Sequence, residues 1–501
     1  MEHGILVAGR RCAAVFALGF LLSVPATLSA GTISSSDVGR RDLDATGSPI
    51  LRAPVDPRIA AALSHISAAE IQHTIETLVS FHTRSTLSSM ATDLPKGEGA
   101  TAAAEWIEGE LKQYSAACGG CLEVKTDTFV QPAGPGPNAR IPKPTTITNV
   151  YAVLRGTDPA QAKRVILVTG HYDSRITDVT DDHGFAPGAN DDASGVAVSL
   201  ECARVLSKLK FPATLVFATV AGEEQGLYGS AHLAKLAKSE GWQIEGVLNN
   251  DIVGGNTTPG DRLQDKSAVR VFSEGIPATA TPLEVRRLLA LGYDSDSPSR
   301  ELARTVTEVA RTYDAGPATT AIDPVLEFRL DRFLRGGDHY SFNQQGFAGV
   351  RFTEWREDFH HQHQNVRVEN GVQYGDLLKF VDFHYVARVA RLNAATMATL
   401  AAAPPAPVKV EIVVSNLDNN TALRWTAGEG APADTRYEVV WRALAAPNWQ
   451  RFTGSGIHPS DGPAGQYTVT LPISKDNAIF GVRAVDAAGH ASLAVVPMPV
   501  R

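Results

Sequence analysis

Cysteine is scarce, with four residues in a chain of 501, and one of the four, Cys12, falls in the N-terminal segment. Of the remaining three, Cys118-Gly-Gly-Cys121 is a lone CxxC with no second pair to complete a zinc site. Lysine and arginine nowhere gather into a block, and the formal net charge of −8 is spread along the sequence. Nucleic acid and anionic membrane surfaces are therefore poor partners. At 44% hydrophobic and 20% charged residues, the composition is neither that of a disordered chain nor that of a membrane-spanning one.

What is present begins with an export signature. MEHGILVAGRR supplies Arg10 and Arg11, and CAAVFALGFLLSVPATLSA follows as an uncharged apolar run ending in small residues. That order reads as a secretory signal peptide over residues 1–30, with cleavage after Ala26 or Ala30. Pro25 interrupts the run and leaves it short for a membrane span. The expected destination is the periplasm or the medium, where Cys118–Cys121 is a small structural disulfide. Cys202, inside the helical phrase SLECARVL, reads as a buried apolar filler.

The length calls for more than one domain. Residues 31–90 read as a leader or propeptide, loose to about residue 55, followed by an N-terminal helical region. From 91 to 402, strands alternate with helices. VILVTG, TLVFATV, VLNNDIVG and FAGVRF are short, continuous and β-branched, like strands buried on both faces. SGVAVSLECARVLSKL and YGSAHLAKLAKSE between them are helical, so the expected class is α/β, with a mostly parallel central sheet flanked by helices. AAAPPAPV then marks a linker, and residues 403–501 hold spaced strands that predict an all-β sandwich. TALRWTA and FGVRAVDAAGHAS in it resemble a fibronectin type III module.

Acidic and histidine residues cluster where these strands end. His171 and Asp173 follow VILVTG as GHYDS, and Glu223 and Glu224 follow TLVFATVAG as GEEQG. Asp251 lies in NNDIVG, and Asp191 and Asp192 open a helix in GANDDASG. Each cluster alone has a bland reading as a cap or a solvated pair. Four at successive strand ends resist that reading, because neighbouring carboxylates in a cleft repel unless a cation neutralises them. Mixed imidazole and carboxylate ligands suit zinc or a similar divalent ion. His171, Asp191, Glu224, Asp251 and one further histidine are enough for two ions sharing a carboxylate and a water. Glu223 is then a spare base for that water, and Asp173 can fix the tautomer of His171.

GHYDS, GANDDASG, AGEEQGLYGS, NNDIVG, GGDHYSF and the histidine-rich FHHQHQNV, in this order, resemble the co-catalytic dizinc aminopeptidases. Secreted bacterial leucyl aminopeptidases are members, with glutamate carboxypeptidase and glutaminyl cyclase as relatives. The resemblance spans about residues 95–400. It implies that His171 and Asp251 hold one zinc, that Glu224 and the late histidine hold the other, and that Asp191 bridges them. It also implies Glu223 as general base, Asp173 as the support of His171, and a cis peptide between Asp191 and Asp192. The family's spacing after its last histidine favours His361, with Asn365 and Val366 at the following positions. His363 is the alternative, although it sets the cation Arg367 beside the metal, and His360 fits less well.

The resulting expectation is an exported two-zinc aminopeptidase acting on peptide substrates. Carboxypeptidase or glutaminyl cyclase activity on the same fold, or an inert secreted binding protein, are the alternatives. Arg332 and Arg335, close to His339 in sequence, keep the carboxypeptidase reading open.

Overall fold

A strand that is apolar at every position needs cover on both faces, and all four of the segments expected to be such strands are buried throughout. In the computed structural model, which describes residues 41–314, 321–454, 460–461 and 466–501, strands Arg164–His171 and Thr214–Val220 are buried throughout. Ile166 and Val168 enter one layer with Val196, Leu200 and Val389, while Val165 and Leu167 enter the other with Leu233 and Ala237. The segments read as a signal peptide and as a leader up to residue 40 lie outside the described residues.

The central sheet has eight strands. Its middle is parallel: Thr214–Val220, Arg164–His171, Gln243–Asn250 and Gly349–Glu354 lie side by side in that order. Antiparallel pairing takes over toward the edges, with the hairpin Leu122–Gln131 and Thr145–Leu154 on one side. On the other, Ala268–Ser273 runs against Gly349–Glu354 and carries the parallel edge strand Asp323–Glu327. The sheet is thus mixed, and its parallel portion is the part whose strand ends carry the acidic and histidine motifs.

Helix Ala193–Leu206 starts where it does because the Asp192 side chain accepts from the amide of Gly195. A side chain at Gly195 would meet the carbonyl of Asn250 at 2.1 Å, and one at Gly170 would meet the backbone of Gly195 at 2.4 Å. These two glycines let a helix start press against two strand ends, which draws the Asp191–Asp192 turn beside His171. Helix Phe383–Ala402, capped by Asp382, packs across the same layer.

The described residues between 408 and 500 form two facing sheets around Leu423, Trp425, Tyr437, Val439 and Trp441. An ion pair and a hydrogen bond join this sandwich to helix Pro298–Tyr313: Arg483 to Glu308 at 2.6 Å and Trp449 Nε1 to Glu301 at 2.9 Å. Arg442 pairs nearby with Asp296 at 2.5 Å.

One expectation needs correction. The segment from residue 42 to about 55, read from its Ser, Gly and Pro content as loose, is built into the sandwich. Ser48–Pro49 pairs as an edge strand with Arg451–Phe452. The carbonyl of Leu43 accepts from Trp441 Nε1 at 2.8 Å, and Asp42 accepts from the amide of Ser474. The partner strand lies about 400 residues downstream in sequence, so no local pattern marks the pairing. Leu43 is buried in the sandwich core. Leu43→Ala is expected to cost about 2–5 kcal/mol, read as a lower urea midpoint; an unchanged midpoint would mean that the segment is loose after all.

Candidate metal centre

His171 ends its strand, Glu223 and Glu224 open the short helix after Thr214–Val220, and Asp251 directly follows Gln243–Asn250. Asp191 stands in the turn before helix Ala193–Leu206, and the peptide between Asp191 and Asp192 is cis. The carboxyl ends of adjacent parallel strands thus bring all five side chains to one edge of the sheet, as expected for open α/β sheets.

The carboxylate of Asp191 lies between two imidazoles. Its Oδ1 is 3.3 Å from His171 Nε2, and its Oδ2 is 3.0 Å from His363 Nε2. On the His171 side, Asp251 Oδ1 is 3.9 Å away, and Glu223 joins the group. On the other side, Glu224 Oε2 is 3.1 Å from His363 Nε2. His171, Glu223 and Asp251 form one set of convergent ligand atoms; Asp191, Glu224 and His363 form the second.

Asp173 meets the Nδ1 of His171 through its backbone carbonyl at 3.0 Å, more closely than through its carboxylate at 3.4 Å. That carboxylate instead accepts from Thr86 Oγ1 at 2.9 Å and from the amides of Glu223 and Glu224 at 3.4 and 3.2 Å. Asp173 therefore orients the imidazole and the Glu223–Glu224 turn together. Thr86 lies in the stretch grouped from sequence with the leader and N-terminal helices, and Arg84 beside it is fully buried, bonded to the carbonyls of Tyr172 and Gly188. This part of the chain braces the site from behind.

His361 is not where the spacing placed it. Its ring stacks on Phe380 at 3.6 Å between centroids, and its Nε2 faces Asp358 at 3.7 Å. His363 points into the cluster because its own backbone turns left-handed, with φ of 56°, a conformation that non-glycine residues seldom adopt outside functional turns. The charge objection to His363 is removed by Arg367 itself. Its guanidinium lies 4.0 Å over the Tyr374 ring and bonds Glu369 and Gln364.

Two further groups were missed. Arg351, wholly buried, pairs with Asp251 at 2.8 Å and with Asp331 at 3.1 Å; a lone arginine within the apolar FAGVRF was its only signal. Asp376 accepts from the amides of Asn190 at 2.9 Å and Asp191 at 2.7 Å, bracing the turn that presents Asp191. Nothing local in YGD marks that role. Asp338 and His339 are wholly buried, with His339 facing the carbonyl of Leu330, and neither lines the site cavity.

Electrostatics show what the cluster is short of. Burial opposes charging His171, yet Asp173, Asp191 and Asp251 lift it well above its ordinary value. His363 is likewise lifted, to about 10, by Glu224 and Asp191 against burial. Burial would raise Asp191, but the two imidazoles hold it well below the carboxylate range. Burial pushes Glu223 well up; His171 opposes this, and Asp251, Glu224 and Asp338 add to it. His361, away from the carboxylates, is lowered by burial. A cluster that draws protons onto its histidines in this way is one that needs cations. Glu224 Oε1 is buried with no hydrogen-bond partner, which such a cation would satisfy. The donor set of imidazoles and carboxylates in two overlapping groups fits a pair of divalent ions.

The cluster opens into a cavity of about 550 Å³. Its wall includes Glu223, Glu224, His363, Leu334, Phe359 and four arginines.

Residues 149–375 match Peptidase family M28. A relative from Leptosphaeria maculans, named "Probable zinc metalloprotease", is 44% identical over 454 residues, covering 90% of this chain and 100% of its own. A Pyricularia oryzae protein of the same name is 45% identical over 453 residues, covering 89% and 85%. Among solved structures, the Legionella pneumophila LapA aminopeptidase covers 70% of this chain and 76% of that chain, at 19% identity and a TM-score of 0.47.

Proposed function

The chain belongs to peptidase family M28, and from that premise we propose that it is a zinc-dependent exopeptidase removing N-terminal residues from peptides. The observation that carries the reading is the position of Asp191, one carboxylate oxygen toward each of two histidines. In this reading His171, Asp191 and Asp251 hold one ion, and Asp191, Glu224 and His363 hold the other. Two zinc ions bound there supply a polarised scissile carbonyl and an acidified attacking water.

The protein's own groups do the rest. Glu223, half-buried on the cavity wall, takes the water's proton and returns it to the leaving amine. The Asp173 carbonyl holds the Nδ1 of His171, so that Nε2 faces the cluster. Arg351 balances Asp251 from behind, and Asp376 fixes the backbone that carries Asp191.

Export is part of the proposal. Cys118 and Cys121 are disulfide-bonded, which suits an oxidising compartment. Among the described residues no helix is long and apolar enough to cross a membrane. The sandwich is read as a fibronectin type III-like module, supported by its two facing sheets with Trp425 between them.

A carboxypeptidase reading has one observation in its favour, the four arginines of the cavity wall. A matched pair of peptides separates the two. With a free N-terminus the peptide should be trimmed from that end, roughly 100-fold or more faster than its N-acetylated twin. Equal rates on both, with release of the C-terminal residue, would assign the carboxypeptidase activity instead.

A further inference from the structure

The four arginines of the cavity wall divide into two pairs. Arg332 is tied to Asp331 at 3.0 Å and to Glu357 at 2.6 Å, and Arg335 to the same Glu357 and to Gln362 at 2.9 Å. Their charge is already met by the protein. Arg140 and Arg175 are held differently. Arg140 Nη1 donates to the carbonyl of Glu224 at 2.9 Å. Arg175 donates from Nε to the carbonyl of Ile176 and from Nη2 to that of Thr177, both at 3.0 Å. Among the described residues no carboxylate pairs with either guanidinium. Asp178 is near Arg175 in sequence, but its Oδ1 accepts from the amide and hydroxyl of Thr180.

Carbonyl anchors orient a guanidinium without neutralising it, and most of its five donors stay open. Arg140 is fastened to the backbone of Glu224, one of the cluster residues. The loop of Arg175 is fastened to the histidine loop through Thr177, whose amide donates to Asn365 Oδ1 at 3.0 Å. Both cations thus line the cavity that holds the cluster, and neither is in an ion pair among the described residues, Asp178 acting on Arg175 only through space.

We propose that Arg140 and Arg175 form a carboxylate subsite that selects peptides bearing an anionic group beside the scissile bond. The proposal rests on the peptidase reading above. The shared ligand chemistry is a carboxylate, which guanidinium groups bind through paired, charge-assisted hydrogen bonds. It has two sources: the side chain of Asp or Glu, or the free α-carboxylate of a dipeptide.

The test uses the zinc-loaded full chain and four dipeptides that differ in one group at a time. Leu-Glu-amide against Leu-Gln-amide reads the side-chain source, and Leu-Gly against Leu-Gly-amide reads the α-carboxylate source. In at least one pair the acid should be favoured in kcat/KM by roughly 10- to 100-fold, the worth of one charged hydrogen-bonded contact. In Arg140→Gln/Arg175→Gln that ratio should fall to about one, mainly through KM. No preference in either pair, or a preference that the substitutions leave intact, overturns the subsite while leaving the peptidase reading in place. If no peptide is cleaved, the peptidase reading fails, and glutarate titrated calorimetrically into both proteins decides the subsite. Binding weakened at least about tenfold in the double variant supports it, and equal binding overturns it.

Discussion

Glu223→Gln is expected to lower kcat by roughly 10²- to 10⁴-fold, the usual worth of a positioned general base, with KM and metal content little changed. Glutamine keeps the shape and the hydrogen-bonding reach of the side chain but cannot take a proton. Glu223 converges with His171 and Asp251 yet also lines the cavity, so it reaches both the cluster and a bound peptide. Its backbone is fixed independently, through Asp173 and the strand end before it, so the substitution should not disturb the fold. Steady-state kinetics and zinc analysis on the same preparation separate the roles. Full turnover with metal bound would show that another group moves the proton; loss of zinc would show that Glu223 is chiefly a ligand.

The second large effect separates two histidines two residues apart. His363→Ala removes the imidazole beside Glu224 and leaves Asp191 and Glu224 facing each other. Metal affinity on that side should fall by more than the roughly 10- to 100-fold typical of outer-shell changes, and activity should fall with it. His361→Ala should leave metal content unchanged and cost only the stacking on Phe380, about 1 kcal/mol beyond the buried area. Metal retention measured after dialysis against a graded chelator would decide the matter. If His361→Ala lost zinc and His363→Ala kept it, the ligand set drawn from the geometry would be wrong.

These two histidines also mark the limit of what the sequence can tell. His171, Glu224 and Asp251 were legible because each sits where a β-branched run stops, and Asp191 because it opens a helix in a Gly-flanked turn; the carboxyl ends of adjacent parallel strands share one edge. The late histidine lies in a loop whose path depends on a left-handed turn at His363. Spacing rules that assume a regular course pick the wrong neighbour there. Arg367, a cation whose place in the sequence speaks against His363, is folded onto Tyr374 and away from the cluster. Arg351 and Asp376 act on other side chains or backbone far away in sequence, and nothing at their own positions announces it. The strap at Leu43 and Ser48 was hidden for the same reason, since its partners are in the last hundred residues.

Whether one carboxylate joins two cation sites is decided by counting zinc in the purified chain after reconstitution and dialysis. About two ions per chain are expected, the number a shared-carboxylate site holds. Asp191→Ala should lose both together, because each group relies on that side chain. A chain that retains no zinc after reconstitution, or an Asp191→Ala variant that keeps its full complement, would contradict the account.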